Sequence, residues 1–159
     1  MNELAEKYAK DMDVMPMKRD IIKLVNLIWK NQSVGPEDIA VFYSNSFMDL
    51  KADIVKKVEM VSKVHKMSSQ DKLELAKAML RLIVDNNLEK LVRLVMYELH
   101  IEPFYHDHIV AMVAKVVKYV MTEDAIESTI NAIVDLANKI GKQKWYKNMR
   151  HWFRKHCCL

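Results

Sequence analysis

The sequence predicts an all-α protein, a single-domain antiparallel bundle of six or seven helices. Only two glycines and three prolines interrupt 159 residues, and an all-β chain needs far more turn residues than that. Apolar residues recur every three or four positions along most of the chain, which is the period of a helix with one buried face. The hydrophobic share of 51% and the length suit one domain that buries its own core.

Three helices are expected in the first part of the chain. The first covers Asn2 to Met12. Pro16 breaks the chain after it and opens the second, over residues 17–31. The third is a long helix over residues 36–66, which the polar stretch Ser44-Asn45-Ser46 could break or bend.

The next segment begins with a capping box, in which Asp71 follows Ser68 by three residues. The helix that it opens is expected to extend to about Val84. Asn86-Asn87 should then end this helix and cap a separate one over residues 88–100.

Two more helices follow in the same pattern. Pro103 and Asp107 open a helix over residues 104–121. Thr122 caps the next helix, and Gly141 ends it at the position where glycine commonly follows a helix. Residues 1–141 are therefore predicted to form the bundle, and residues 142–159 a basic aromatic C-terminal helix or tail.

The termini and the longest apolar runs predict where the protein resides. Cys157 and Cys158, the only cysteines, are adjacent near the end of the chain and cannot cross-link the core. The charged N-terminal segment lacks the apolar centre of a signal peptide. No apolar run approaches the roughly 20 residues that a membrane-spanning helix needs. These features predict a soluble cytoplasmic protein that can be peripheral at membranes.

No pattern of catalytic residues is recognisable in the sequence. The histidine-rich run from His100 to His108 is the only cluster in the sequence that resembles a metal site. However, His106 and His108 are two residues apart and would project from nearly opposite sides of a helix. Neither a GxGxxG nor a GxxxxGK[ST] loop is present. We therefore expect no enzymatic activity, no metal and no cofactor.

The last eighteen residues carry the strongest functional signal. Six of the 25 lysines and arginines lie there without any acidic residue, which leaves 19 basic against 21 acidic side chains in the rest of the chain. Four apolar residues share one side of a helix: Trp145, Met149, Trp152 and Phe153. A basic helix with an aromatic side is typical of interfacial membrane helices and of calmodulin targets. The predicted contacts with an anionic lipid surface are Lys142, Lys144, Trp145, Lys147, Arg150, Trp152, Phe153, Arg154 and Lys155.

Other interpretations of this segment stay open. Cys157 and Cys158 could accept palmitoyl groups, which would supply a second membrane anchor. Alternatively, the aromatic residues dock on the bundle as its last helix, and the charges only solvate the outer face. Nucleic acid is a weaker candidate partner, because the basic patch is short and no base-reading module accompanies it.

One stretch resembles a known protein family. Leu27-Ile28-Trp29-Lys30-Asn31-Gln32 is followed by Pro36-Glu37-Asp38 and then by Phe47 and Lys51. This order is similar to a region of the tumour-necrosis-factor-alpha-induced-protein-8-like (TIPE) family, which has arginine at the position of Lys30. The resemblance implies a helical, non-catalytic protein with roles in cell death and immune signalling. It also implies a deep apolar cavity for lipid tails, with basic residues at its mouth for phosphoinositide headgroups, and Lys30 is the candidate for that role.

The sequence therefore supports a leading hypothesis and two alternatives. The leading one is a non-enzymatic regulatory protein that binds lipid or an anionic membrane surface. The first alternative is a Bcl-2-like module, including viral versions, that grips an amphipathic helix of a partner protein in a surface groove. The second is a purely structural or assembly protein. An open cavity lined by residues such as Val95, Met112 and Val116 would favour lipid binding.

Overall fold

The computed structural model describes residues 1–30, 35, 39 and 47–140, and every regular element in these residues is helical. The all-α class is therefore confirmed, with a helix count within the predicted range. A short 3-10 turn, Pro103–Tyr105, precedes the fifth helix. The helices are α1 (Asn2–Ala9), α2 (Met15–Lys30), α3 (Met48–His65), α4 (Ser69–Glu98), α5 (His106–Val120) and α6 (Glu123–Ile140).

The helices are distributed over two compact units, each built from segments that are distant in sequence. Within the described residues, the first unit contains residues 1–12, 48–83 and 123–140, which include α1, α3 and α6. The second unit contains α2, α5 and the 3-10 turn. The long helix α4 contributes its residues up to Ile83 to the first unit and the remainder to the second. The predicted boundary at Gly141 lies outside the described residues.

The core of the first unit is formed where α3 packs against α6. Both helices place an aliphatic stripe inward, because their apolar residues recur at three- and four-residue intervals. Fully buried members include Leu50, Ile54, Ile126 and Ile133.

In the second unit, α2 packs against α5, and α5 also contacts the 3-10 turn. The buried faces of these helices contain Met17, Ile21, Val25, Val113 and Val116. The predicted helix over residues 17–31 corresponds to α2, and the predicted helix over residues 104–121 corresponds to the 3-10 turn followed by α5.

The predicted capping box at the start of α4 is present. The backbone N–H of Asp71 donates to Ser68 Oγ at 3.1 Å, and the backbone N–H of Ser68 donates to Asp71 Oδ2 at 3.1 Å. The Ser68 hydroxyl also donates to Asp71 Oδ2 at 2.7 Å. These bonds favour the ionised carboxylate and lower the pKa of Asp71.

The predicted division of α4 near Asn86-Asn87 is wrong, because Ser69–Glu98 is one continuous helix. Buried apolar residues continue on both sides of the asparagine pair, with Val84 before it and Leu91 and Val92 after it. Asparagine costs a helix only a fraction of a kcal/mol per residue. Burial of the flanking residues outweighs this local preference for a helix end.

The helix predicted over residues 36–66 is interrupted at Phe47, directly after the stretch where a break was considered: Phe47 has a φ of 62°, and α3 begins at Met48. A left-handed backbone cannot continue a right-handed helix. A hydrogen bond and burial hold Phe47 in this conformation: its N–H donates to Asp20 Oδ2 at 3.0 Å, and its side chain is only 2% exposed.

The end of α4 is a Schellman motif that closes without glycine. His100 adopts a φ of 56°. Its N–H donates to the carbonyl of Tyr97 at 3.1 Å, and the N–H of Ile101 donates to the carbonyl of Met96 at 3.0 Å. Ile101 and Met96 are both buried, which is the hydrophobic contact that accompanies this motif.

Candidate functional site

Lys30 is the one sequence-predicted contact residue that lies in the described part of the chain. It is the last residue of α2, and its side chain is exposed. The remaining predicted contact and lipidation residues lie outside the described residues. They are Lys142, Lys144, Trp145, Lys147, Arg150, Trp152, Phe153, Arg154, Lys155, Cys157 and Cys158.

The second unit contains an apolar, aromatic pocket, and Trp29, the residue before Lys30, is part of its lining. Its volume is about 360 Å³, near the lower end of the range for small-molecule pockets. The residues that line it come from α2, the 3-10 turn and α5: Ile28, Trp29, Phe104, Tyr105, His108, Ile109 and Met112. We call it the aromatic pocket.

Three rings in edge-to-face contact form one wall of the aromatic pocket. The ring centroids of Trp29 and Tyr105 are 5.0 Å apart at an interplanar angle of 75°, and those of Phe104 and Tyr105 are 5.2 Å apart at 88°. Phe104 is nevertheless 86% exposed. An aromatic side chain that is held by its neighbours and still faces water is suited to contact an apolar partner.

The 3-10 turn that carries Phe104 and Tyr105 is fixed at both ends. Before it, the Schellman motif sets the direction in which the chain leaves α4. After it, the imidazole Nε2 of His106 lies 2.7 Å from the carbonyl oxygen of Ile101. The guanidinium of Arg93 donates to Asp107 Oδ1 at 2.9 Å and also contacts Glu89. The hydrogen bond with Asp107 contributes most to raising the pKa of Arg93, and the one with Glu89 adds to it.

An ion pair also fixes α2, which lines the pocket together with α5 and the 3-10 turn. The ammonium of Lys18 lies 2.8 Å from Glu98 Oε1, and this pair joins α2 to the last turn of α4. The side chain of Lys18 is only 17% exposed. Such a pair is worth more than a fully solvated one, because nearby low-dielectric protein reduces screening.

The cavity residues named from the sequence divide between this pocket and the core. Met112 lines the aromatic pocket, whereas Val95 and Val116 are completely buried and do not line it. Among the residues of the family resemblance, Trp29 lines the pocket, while Phe47 and Lys51 are each 2% exposed. Phe104 and Tyr105, which follow Pro103, are the sequence signal that could have indicated the pocket. Only the neighbouring histidines were considered from the sequence, as possible metal ligands.

The first unit has a smaller and more polar recess between α3, α4 and α6. Its volume is about 220 Å³, and its lining includes Val58, Leu73 and Asn131. Glu59 and Lys72 also line the recess, and the ammonium of Lys72 lies 3.2 Å from both carboxylate oxygens of Glu59. Because this ion pair satisfies its own charges, we assign it to the packing of α3 against α4.

A network of ion pairs holds α4 and α6 together in the first unit. The nearly buried ammonium of Lys77 lies 3.2 to 3.5 Å from Glu74, Glu123 and Glu127. The hydrogen bond with Glu74 contributes most to raising the pKa of Lys77. Glu123 also pairs with Arg81, and this hydrogen bond is the main reason why the pKa of Glu123 is lowered. Every group in this network is paired with an opposite charge, which indicates a structural role.

Two other kinds of functional element are absent from the described residues. No group of three or more His, Cys, Asp or Glu side chains in residues 1–30 and 47–140 is arranged to hold a metal ion. None of the helices in the described part of the chain has the length and apolar content that crossing a bilayer requires.

Comparison of the chain with protein-family models, curated proteins and solved structures finds no match.

Proposed function

We propose that this chain is a non-enzymatic regulatory protein that binds lipid or an anionic membrane surface through its C-terminal segment. The observation that carries the proposal is the composition of residues 142–159, where six cationic side chains accompany four apolar residues at helical spacing. Each lysine or arginine near an anionic leaflet contributes about 1 kcal/mol of binding free energy. The resemblance to the TIPE family adds cell-death or immune signalling as the proposed context.

Features of the described residues are compatible with this proposal. Lys30 is exposed and directly follows Trp29, which lines the aromatic pocket. A cation on a helix that lines an apolar recess suits an amphiphile, because the cation can pair with an anionic headgroup while the recess accepts part of an acyl chain.

Co-sedimentation with phosphatidylserine–phosphatidylcholine vesicles tests the proposal. We expect the full-length chain to bind and an R150Q/R154Q/K155Q variant to bind about 100-fold more weakly, since three charges are removed. A K10Q/K23Q/K90Q variant is the control, because it removes the same net charge from exposed positions of the described residues. Equal binding by the two variants would exclude the C-terminal segment as the contact.

A second candidate function is recognition of an amphipathic helix, as in a Bcl-2-like module, and the aromatic pocket is the observation that favours it. Phe104 is 86% exposed beside Trp29 and Met112. Apolar side chains at i and i+4 on a partner helix could occupy a recess of about 360 Å³. This function requires an apolar helix face and does not depend on lipid charge.

Fluorescence titration with amphipathic helical peptides separates the two functions. Helix recognition predicts binding that the F104A substitution weakens by about tenfold or more, which is typical for an aromatic anchor of an interface. Exposed Tyr119 at the far end of α5 provides a matched control, Y119A. If no peptide binds, or if Y119A is as damaging as F104A, the helix-binding function is excluded.

A further inference from the structure

The second half of α3 has a solvent-exposed face that combines lysines with exposed apolar side chains. Val64 is 75% exposed and Met60 is 55% exposed. Lys56 and Lys63 are exposed on the same helix. We call these four residues the basic α3 face.

Helical geometry places the four residues side by side. At about 100° per residue, Lys56, Met60, Lys63 and Val64 fall within an arc of about 100°. Lys57 borders this arc, and its ammonium lies 5.5 Å from the ring centroid of Tyr8 in α1. On the same helix, Asp49 and Asp53 are half-buried in the first half, and Glu59, which pairs with Lys72, borders the arc beside Lys63. Three lysines against one glutamate give the second half of α3 a net positive charge.

The helix dipole explains only part of this pattern. Cations near the C-terminal end of a helix are favourable, so Lys63 and His65 in the last turn need no partner to account for them. The dipole does not account for exposed apolar side chains beside the lysines. The polar face of a solvated helix normally places charged or polar residues at such positions.

We propose that the basic α3 face is a contact surface for an anionic lipid bilayer. This inference rests on the proposed function and adds a second membrane contact, separate from residues 142–159. The lysines lie at the level of the anionic headgroups, while Met60 and Val64 enter the boundary between headgroups and acyl chains. This is the division of roles found in interfacial helices.

The chemistry of the face favours a bilayer over a nucleic acid. Lysines alone would suit phosphates of either kind. Met60 and Val64 add apolar surface beside the lysines, and burying this surface gains free energy only if the partner removes it from water. A phosphate backbone provides no apolar layer, whereas the acyl region of a bilayer does.

Vesicle co-sedimentation of the full-length chain tests the proposal with two double variants of equal net charge. K56Q/K63Q removes two cations from the basic α3 face, and K115Q/K118Q removes two exposed cations from α5. We expect K56Q/K63Q to weaken binding to phosphatidylserine-containing vesicles by about 25-fold, roughly fivefold for each lysine. The control should change binding by less than about threefold, because charges outside the basic α3 face act only through the screened field.

A fluorescence measurement tests insertion directly. A V64C variant in a C157S/C158S background is labelled with a polarity-sensitive fluorophore, and circular dichroism checks that the variant is folded. We expect a blue shift of the emission on phosphatidylserine-containing vesicles and none on pure phosphatidylcholine. Emission unchanged on both kinds of vesicle overturns the proposal.

The outcomes separate this inference from the proposed function. If R150Q/R154Q/K155Q loses binding while K56Q/K63Q behaves like its control, the C-terminal contact stands and the α3 contact is overturned. If K56Q/K63Q loses binding while R150Q/R154Q/K155Q does not, the α3 contact stands and the C-terminal contact is overturned. Absence of vesicle binding by the unaltered chain overturns both. Binding of duplex RNA with the same sensitivity to K56Q/K63Q, but no emission shift on vesicles, replaces the bilayer by a nucleic acid.

Discussion

The ring of Tyr105 meets the indole of Trp29 edge-on, with the ring centroids 5.0 Å apart at an interplanar angle of 75°. This contact joins the last turn of α2 to the 3-10 turn before α5 and forms a wall of the aromatic pocket. The two residues are 76 positions apart in the sequence. Because aromatic pairs prefer this geometry, the contact both stabilises the second unit and shapes its recess.

A double-mutant cycle on this pair should show favourable coupling. We expect W29L and Y105L together to reveal a coupling free energy of about 1 kcal/mol, because an edge-to-face pair stabilises beyond the burial of its area. Urea denaturation of the four proteins provides the measurement. The pair of W29L with Y97L is the control and should be additive, because Tyr97 is 78% exposed and no ring contact joins it to Trp29 among the described residues. Additivity for Trp29 and Tyr105 as well would mean that their geometry contributes nothing to stability.

Replacing His100 by glycine should stabilise the protein. His100 has a φ of 56° at the end of α4, and a side chain with a Cβ atom costs roughly 1 kcal/mol in that region relative to glycine. Thermal denaturation should therefore show a melting temperature for H100G that is about 3 °C higher. The opposite effect is expected for K90G, because glycine in the middle of the same helix is destabilising. A lower melting temperature for H100G would show that its imidazole makes a stabilising contact.

The same substitution at Phe47 should have the opposite result, although its φ of 62° is equally left-handed. Phe47 is 2% exposed, and removal of a buried phenylalanine side chain costs about 3–5 kcal/mol. This loss exceeds the roughly 1 kcal/mol of backbone strain that glycine would relieve. We expect F47G to lower the midpoint of urea denaturation substantially. A neutral or stabilising F47G would mean that strain at this residue outweighs its burial.

The Lys77 network predicts how stability depends on pH. The pKa of Glu123 is lowered, chiefly by the hydrogen bond with Arg81. A lowered folded-state pKa contributes stability above the unfolded-state pKa, and this contribution is lost as the pH falls through the folded-state value. The pKa of Lys77 is raised, so its contribution is complete below its unfolded-state pKa and is lost only in strongly alkaline solution.

Urea midpoints measured from neutral pH down to about pH 3 test this dependence. Stability of the unaltered chain should fall below about pH 5, and R81Q should flatten part of that decline because the main cause of the lowered Glu123 pKa is removed. K23Q, which alters an exposed lysine of α2, is the matched control and should leave the profile unchanged. An R81Q profile parallel to that of the unaltered chain would show that the Arg81–Glu123 pair does not contribute.

Much of the helical architecture followed from local patterns. The apolar spacing in residues 17–31 predicted α2, and the Ser68–Asp71 capping box predicted the start of α4 at the correct residue. Both signals act within a few residues, since a helix closes its own hydrogen bonds and its cap lies within one turn. Errors occurred where contacts distant in sequence decided the outcome. Asn86-Asn87 did not end α4, and the hydrogen bond with Asp20 and burial of the side chain stabilise the left-handed backbone of Phe47.

The candidate site depended still more on tertiary structure. Lys30 could be identified as exposed from its position at the end of an amphipathic helix, and the charge of residues 142–159 is a property of the sequence. The aromatic pocket was not predictable in the same way, because Trp29 and Tyr105 meet only after α2 and α5 have packed. The basic α3 face required knowing which side of α3 is covered, since Met60 and Val64 have the same apolar character as the buried Val58 and Val61.

The sequence alone determined that this protein is helical, where most helices begin, and where its cationic residues are concentrated. These properties depend on interactions between residues three or four positions apart. Only the tertiary structure decided which apolar side chains remain in water and which aromatic residues share a pocket. Burial depends on which helices pack together, and the periodicity of one helix does not identify its neighbours.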